Sequence, residues 1–144
     1  MQRKIVDMND EYLKRIATDL KEYDHFWNEK ILKDEFENPN SKYFVICDSD
    51  EIFGFAGLWF NIDEAHIMNI AVREKYRKMG IGSELLEYMI GVAKSFDKNC
   101  ITLEVREDNA PAIGLYEKFD FSVVGRRKRY YHNLVDAIIM TKFF

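Results

Sequence analysis

Apolar residues recur at helical spacing in four stretches of the chain, and in seven others they alternate with polar residues or run together as strands do. Leu13, Ile16, Ala17 and Leu20 give one apolar face to a helix predicted from about Asn9 to Glu22. Ile31, Leu32 and Phe36 predict the inner side of a second helix, Asn28 to Glu37, which the pair Asn38-Pro39 closes. A third, Ser83 to Lys94, carries Leu85, Leu86, Met89, Ile90 and Ala93 on one face, as a helix lying across a sheet requires. The fourth starts near Asn109, a good N-cap, with Pro111 in the first turn where its missing N–H is harmless. It runs through Tyr116 to about Phe119.

Strands are predicted at Gln2 to Val6, Tyr43 to Cys47, Ile52 to Asn61, Ala65 to Val72, Cys100 to Arg106, Phe121 to Tyr131 and Asp136 to Phe143. The acidic turn Asp48-Ser49-Asp50-Glu51 makes the second and third of these a hairpin, and His132-Asn133 turns between the last two. Gly54 and Gly57, inside the third strand, indicate a bulge or a close backbone approach. From Cys100 to Arg106 the alternation is clean, with Ile101, Leu103 and Val105 on one face and Thr102, Glu104 and Arg106 on the other.

Between a strand ending near Val72 and the third helix lies Arg77-Lys78-Met79-Gly80-Ile81-Gly82-Ser83. Two glycines let the backbone turn tightly and bring N–H groups close to a ligand. The helix behind them offers unpaired first-turn N–H groups and the positive end of its dipole, which together suit a pyrophosphate. From the residues alone the stretch fits equally a plain strand-to-helix turn with two exposed basic side chains.

Composition narrows the function classes. A chain of 144 residues is the size of one domain, with aromatic and charged fractions of 15% and 32% that match an ordered protein. A net charge of −4 argues against sequence-independent binding to nucleic acid, and no apolar run is long enough to span a bilayer. The N-terminus lacks a signal-peptide core, so the expected compartment is the cytoplasm. Cys47 and Cys100 fall in predicted strands and read as small buried residues, and no Cys/His cluster has metal-ligand spacing.

The run from His66 to Phe144 resembles the GCN5-related N-acetyltransferase (GNAT) family, whose Arg/Gln-x-x-Gly-x-Gly/Ala acetyl-CoA signature the loop fits. Within that family, Asn69-Ile70-Ala71-Val72, Leu103-Glu104-Val105-Arg106, Asn109-Ala110-Pro111-Ala112 and Leu115-Tyr116-Glu117 are similar to the ribosomal-protein-alanine N-acetyltransferases. So are Arg129-Tyr130-Tyr131, Asp136 to Met140, and in the front half Phe26-Trp27 with Glu37-Asn38-Pro39-Asn40-Ser41. The family usually has glycine where this chain has Asp120, so a left-handed cap is expected to rest on an aspartate. The loop between Tyr131 and Asp136 is shorter than in many relatives.

The resemblance implies one α+β domain, residues 1–144, with a mixed, mostly antiparallel sheet of about seven strands flanked by about four helices. The sheet splits to form the acetyl-CoA cleft. It further implies transfer of an acetyl group from acetyl-CoA to a protein N-terminus, that of ribosomal protein S18, in a ternary complex without a metal. The backbone of Ile70, Ala71 and Val72 would pair with the pantetheine arm, Arg77 to Ser83 would hold the pyrophosphate, and Asn109 would support the cofactor. Glu104 would be the general base and Tyr116 the general acid toward the CoA sulfur; Trp27 and Tyr131 would contact the acceptor. Read without the resemblance, Glu104 is a solvated strand residue paired with Arg106, Tyr116 packs on the sheet, and Trp27 anchors a core. A different acceptor amine, or a CoA-binding module without turnover, are the other readings. The cluster Arg126-Arg127-Lys128-Arg129 reads either as a solvated strand or as a surface for an acidic partner.

Overall fold

The computed structural model describes residues 2–24, 27–129 and 135–144. The chain runs β1 (Lys4–Asp7), α1 (Asp10–Thr18), α2 (Glu29–Glu37), β2 (Ser41–Cys47), β3 (Ile52–Phe60), β4 (Glu64–Val72), α3 (Ile81–Ser95), β5 (Cys100–Arg106), α4 (Ala110–Lys118), β6 (Ser122–Arg127) and β7 (Ala137–Phe143). The seven strands form one sheet in the order β1-β2-β3-β4-β5-β7-β6, antiparallel everywhere except between β4 and β5. The expected fold is the observed one.

Side-chain alternation explains why β2 from Tyr43 onward and β3 throughout are apolar. Phe44 and Ile46 point into a core with Leu85, Leu86 and Met89 of α3, while Tyr43, Val45 and Cys47 point the other way, onto Ile16 of α1 and Leu32 of α2. The sheet is thus covered on both faces. Cys47 and Cys100 are buried free thiols. No helix among the described residues is long and apolar enough to cross a membrane.

Boundaries differ from expectation where local geometry outweighs periodicity. The α1 helix stops at Thr18, whose hydroxyl donates back to the Lys14 carbonyl, and a separate 3-10 turn covers Leu20–Glu22. On α2, Ile31 is 38% exposed rather than inward, and Leu32 carries the buried contact. Asn38 leaves the helix at ψ 122°, as a residue before proline must. The α3 helix begins at Ile81, earlier than Ser83, because Gly80 at φ 80° turns the chain directly into it. Strand β6 ends at Arg127, and Arg129 follows at φ 53° with its N–H on Asp136 Oδ1 at 2.8 Å. The turn at His132-Asn133 lies outside the described residues.

Candidate active site

The parallel pairing of β4 with β5 covers only Glu64, Ala65 and His66 against Cys100, Ile101 and Thr102. Beyond those pairs the strands part, while β4 stays bonded to β3 through Val72. One edge of β4 from Ile67 to Val72 therefore presents backbone groups with no strand among the described residues beside them. An extended chain bearing amides can add itself there.

Two glycines of β3 shape that edge. A Cβ on Gly57 would lie 2.2 Å from the Tyr43 ring, and one on Gly54 would lie 2.5 Å from the Ala71 carbonyl oxygen. Next to Gly57 the register slips, so that Met68 bulges out of β4 between Ile67 and Asn69. Both readings of the glycine pair, bulge and close approach, hold. Ile70, Ala71 and Val72 sit opposite Ala56, Phe55 and Gly54 on the far side of the bulge. The buried Asn69 amide ties the strand to Asp24 Oδ2 at 3.1 Å.

The loop from Arg77 to Ser83 closes the end of this edge. Arg77 Nε donates to the Val72 carbonyl at 3.1 Å, and Lys78 and Gly80 both adopt left-handed backbone, at φ 65° and 80°. The first helical bond of α3 is Glu84 N–H to Gly80 O at 3.1 Å, and among the described residues no side chain caps the helix. The N–H groups of Ile81, Gly82 and Ser83 precede that bond and so lack a helical partner. Among the described residues packing demands neither glycine, since a Cβ at Gly82 meets nothing nearer than 3.8 Å and one at Gly80 meets nothing within 4 Å. Gly80 is required by its φ, and Gly82 keeps the first turn bare. Met79 is exposed and Ile81 is buried, anchoring the turn to the core. Asn109 caps α4, its Oδ1 accepting from Ala112 N at 3.3 Å.

Glu104 and Tyr116 lie on opposite faces of the sheet. Tyr116 packs with the α3 core, its ring 5.8 Å from Phe121, and its hydroxyl has no protein hydrogen bond among the described residues. Burial pushes its phenol up to about 12, so it is a proton donor at neutral pH and not a base. Glu104 projects from the other face, with Thr102, and its Oε1 accepts from Arg127 Nε at 2.7 Å. Arg106, the partner expected from sequence, instead forks onto Asp108 at 3.0 and 2.9 Å. Arg127 reaches Glu104 because β7 places Ile139 between Glu104 and Gly125, two residues before Arg127 on the same face.

A cavity of about 670 Å³ opens beside Glu104 on the face that carries α2. Its walls come from Glu35 and Asn38, from Trp59, Glu64, His66 and Met68, and from Val124, Arg127 and Ile139. Glu64 is held by the Asn61 amide and by His66, which lower its carboxyl below the usual range. Sequence reasoning missed Glu35, Glu64 and His66. The period-two spacing of Glu64, His66 and Met68 was the available signal for the strand members; Glu35 had none. Trp27 does not line this cavity and instead packs against Tyr43 and Phe55, at 6.3 and 6.4 Å between ring centroids. Tyr131 lies outside the described residues. Of the basic cluster, Arg126 is taken up by Glu107 and Asp136, and Arg127 by Glu104. Among the described residues no group of three or more His, Cys, Asp or Glu side chains is placed to hold a metal ion.

Comparison with known proteins extends this geometry. The profile of the acetyltransferase (GNAT) family matches residues 8–121. A Bacillus subtilis (strain 168) protein, provisionally named a ribosomal protein bS18-alanine N-acetyltransferase, is 39% identical over 118 residues, which is 81% of this chain and 75% of that one. The crystal structure of the ribosomal-protein-S18-alanine N-acetyltransferase from Escherichia coli superposes with a TM-score of 0.89 at 30% identity, covering 97% of this chain and 92% of that one. A GNAT family acetyltransferase from Elizabethkingia anophelis, solved with acetyl-CoA bound, shares the fold at TM-score 0.83 and 21% identity over 99% of this chain and 98% of its own.

Proposed function

The chain belongs to the acetyltransferase (GNAT) family, and from that premise we propose that it transfers acetyl from acetyl-CoA to the α-amine of a protein N-terminus. By similarity to the Escherichia coli and Bacillus subtilis proteins, the acceptor is the N-terminal alanine of ribosomal protein bS18. The observation that carries the reading is the unpaired edge of β4. It runs into the bare N-terminus of α3, with Glu104 facing a cavity on the other side of the opening. We treat residues 1–144 as one catalytic unit because a single sheet bears both the donor edge and the acceptor face.

Acetyl-CoA supplies the activated thioester when bound. The backbone of Ile70, Ala71 and Val72 offers an amide ladder to its pantetheine arm. The N–H groups of Ile81, Gly82 and Ser83, with the cations of Arg77 and Lys78 and the backbone of Met79 and Gly80, suit its pyrophosphate. Asn109 supports the loop from α4.

Glu104 takes the proton that the acceptor ammonium must shed before its nitrogen attacks the acetyl carbonyl carbon, directly or through one water. A protein α-amine, with a reference pKa of roughly 7.7–8.0 against about 10.4 for lysine, asks little of a carboxylate base. Arg127 orients Glu104 by holding one oxygen. As the carbon–sulfur bond breaks, Tyr116 gives its proton to the departing sulfur and is restored by the second proton that the nitrogen loses as the amide forms; its raised pKa keeps the phenol protonated until charge develops on sulfur. The products are the acetylated N-terminus and free CoA. The buried thiols Cys47 and Cys100 suit a reducing cytoplasm, and no acyl-enzyme is needed.

Glu104→Gln and Tyr116→Phe test these roles. Each should lower kcat by about 10²–10⁴-fold while acetyl-CoA still protects the protein against thermal unfolding. Near-wild-type kcat in both variants would remove the acid–base assignment, and loss of acetyl-CoA protection would make either residue a binding group.

A further inference from the structure

The two halves of the proposed donor site are joined by one short segment. Ile70 to Val72 belong to the open edge of β4, and Arg77 to Ser83 form the loop that enters α3. Between them run Arg73, Glu74, Lys75 and Tyr76, the last three in a single 3-10 turn. Its backbone is held by Arg73 N–H on Phe53 O at 2.8 Å, Tyr76 N–H on Arg73 O at 2.8 Å and Arg77 N–H on Glu74 O at 3.3 Å. One 3-10 turn with a long closing bond gives a loop little rigidity, so its position rests on side chains.

Those side chains converge on Glu51, in the turn between β2 and β3. The Tyr76 hydroxyl donates to Glu51 Oε2, and Arg73 Nη1 reaches the same oxygen at 3.4 Å. The tyrosine bond, with the cations beside it, lowers the Glu51 carboxyl below its usual range, so it is ionised at neutral pH. Lys75 Nζ stands 3.8 Å away, a half-exposed pair that counts for little. Glu51 is itself fixed, its N–H donating to Asp48 Oδ1 at 2.8 Å and its carbonyl accepting from Asp48 N–H at 2.9 Å. Tyr76 is fixed at its other end, where its ring meets the fully buried Phe53 edge-on at 4.7 Å between centroids. The mostly buried Arg73 shares its guanidinium with Glu22 at 3.3 Å and Asp19 at 3.6 Å.

Charge shows why a carboxylate serves here. Arg73, Lys75, Arg77 and Lys78 put four cations into six residues, against the single carboxylate of Glu74. Glu51 draws the first two toward the hairpin, while Arg77 and Lys78 belong to the loop itself. The β4 edge does not depend on this strap, because its ladder to β3 continues through Val72.

Resting on the donor site proposed above, we infer that Glu51 and Tyr76 form a positioning pair that sets the pyrophosphate loop against the pantetheine edge. Neither residue touches the reacting atoms. The part of the donor whose binding depends on the pair is the pyrophosphate of CoA, and the acyl-pantetheine arm is indifferent to it.

The test compares acetyl-CoA with acetyl-pantetheine, which keeps the thioester arm and lacks the pyrophosphate and nucleotide. Thiol release with a peptide bearing the bS18 N-terminus gives kcat/KM for each donor, and calorimetric titration with CoA gives an affinity that needs no turnover. Tyr76→Phe keeps the ring on Phe53 and removes only the hydroxyl. It should raise KM for acetyl-CoA and Kd for CoA by about tenfold, with kcat and the kcat/KM for acetyl-pantetheine unchanged. Glu51→Ala should do the same, and Glu51→Gln, which can still accept from Tyr76, should keep part of the affinity. The double variant Glu51→Ala/Tyr76→Phe should lose no more than Glu51→Ala alone. A merely structural role would weaken both donors together. Equal losses with the two donors, or an unchanged CoA affinity in Tyr76→Phe and Glu51→Ala, overturns the inference and leaves the proposed reaction standing. If the wild-type protein binds CoA but acetylates no peptide, the proposed acceptor falls and the titrations alone decide, weaker CoA binding in both variants upholding the pair.

Discussion

Replacing Gly54 with alanine would drive a methyl group into the backbone of β4. Its Cβ would stand 2.5 Å from the Ala71 carbonyl oxygen and 3.3 Å from Val72 Cα, where ordinary van der Waals contact begins at 3.4 Å. Neither obstacle is a side chain that can rotate aside. The strands must therefore separate by roughly 0.9 Å at this point, and tight overpacking of that kind costs about 1–3 kcal/mol. For a protein of this size the loss corresponds to a fall in Tm of roughly 3–12 °C. The displaced segment is Ile70 to Val72, the proposed partner of the pantetheine arm, and a misplacement near 1 Å can cost up to about 10²-fold in rate. We expect KM for acetyl-CoA to rise about tenfold, with the acceptor KM changing less. Thermal melts with and without acetyl-CoA, together with initial rates over a range of acetyl-CoA, measure both effects. A Tm within about a degree of wild type and an unchanged KM would refute the steric argument. A lowered Tm with unchanged KM would show that β3 yields instead and that the donor edge does not depend on Gly54.

Three other perturbations follow from the same geometry. Asp120 sits at φ 69°, where glycine carries no Cβ penalty, so Asp120→Gly should raise stability by about 1 kcal/mol; the Lys142 ion pair it removes is long, at 3.8 Å, with an exposed carboxylate, and counts for little, and a melt that moves down contradicts this. Gly80→Ala meets no atom within 4 Å but forces an L-residue to φ 80°, which should cost about 1–2 kcal/mol and weaken acetyl-CoA, in contrast to the steric loss at Gly54. Because burial raises Tyr116 to about 12, its protonated form persists as pH rises, and kcat should show no loss from its ionisation up to pH of about 10. The kcat/KM should climb with pH through the acceptor amine's own pKa near 8, and a fall in kcat between about pH 9 and 10 that is absent in Tyr116→Phe would contradict the assignment.

The parts of this protein legible from sequence are those whose cause is local. Asn109 and Asn28 cap their helices as their side chains allow, Asn38 leaves its helix ahead of Pro39, and Asp120 takes the left-handed position expected of it. The alternation from Cys100 to Arg106 places Glu104 on one face and Leu103 on the other, as found. What depends on strand order was not readable in the same way. Arg127 is the cation on Glu104 because β7 inserts between β5 and β6, a juxtaposition that no spacing along the chain encodes. Trp27 anchors a core, as the residues alone suggest, but that Tyr43 and Phe55 supply its partner rings is again a long-range meeting. Glu35 escaped notice because one charge near the end of an amphipathic helix looks solvated until the cavity behind it is seen.

The central claim is tested most directly by following CoA thiol release from acetyl-CoA with two peptides. One begins with the free N-terminal residues of bS18, and the other is identical but blocked at its α-amine and given an internal lysine. The account predicts release with the free N-terminus alone. Release with the blocked peptide at a comparable rate would contradict it, making the chain a lysine or broad-specificity acetyltransferase.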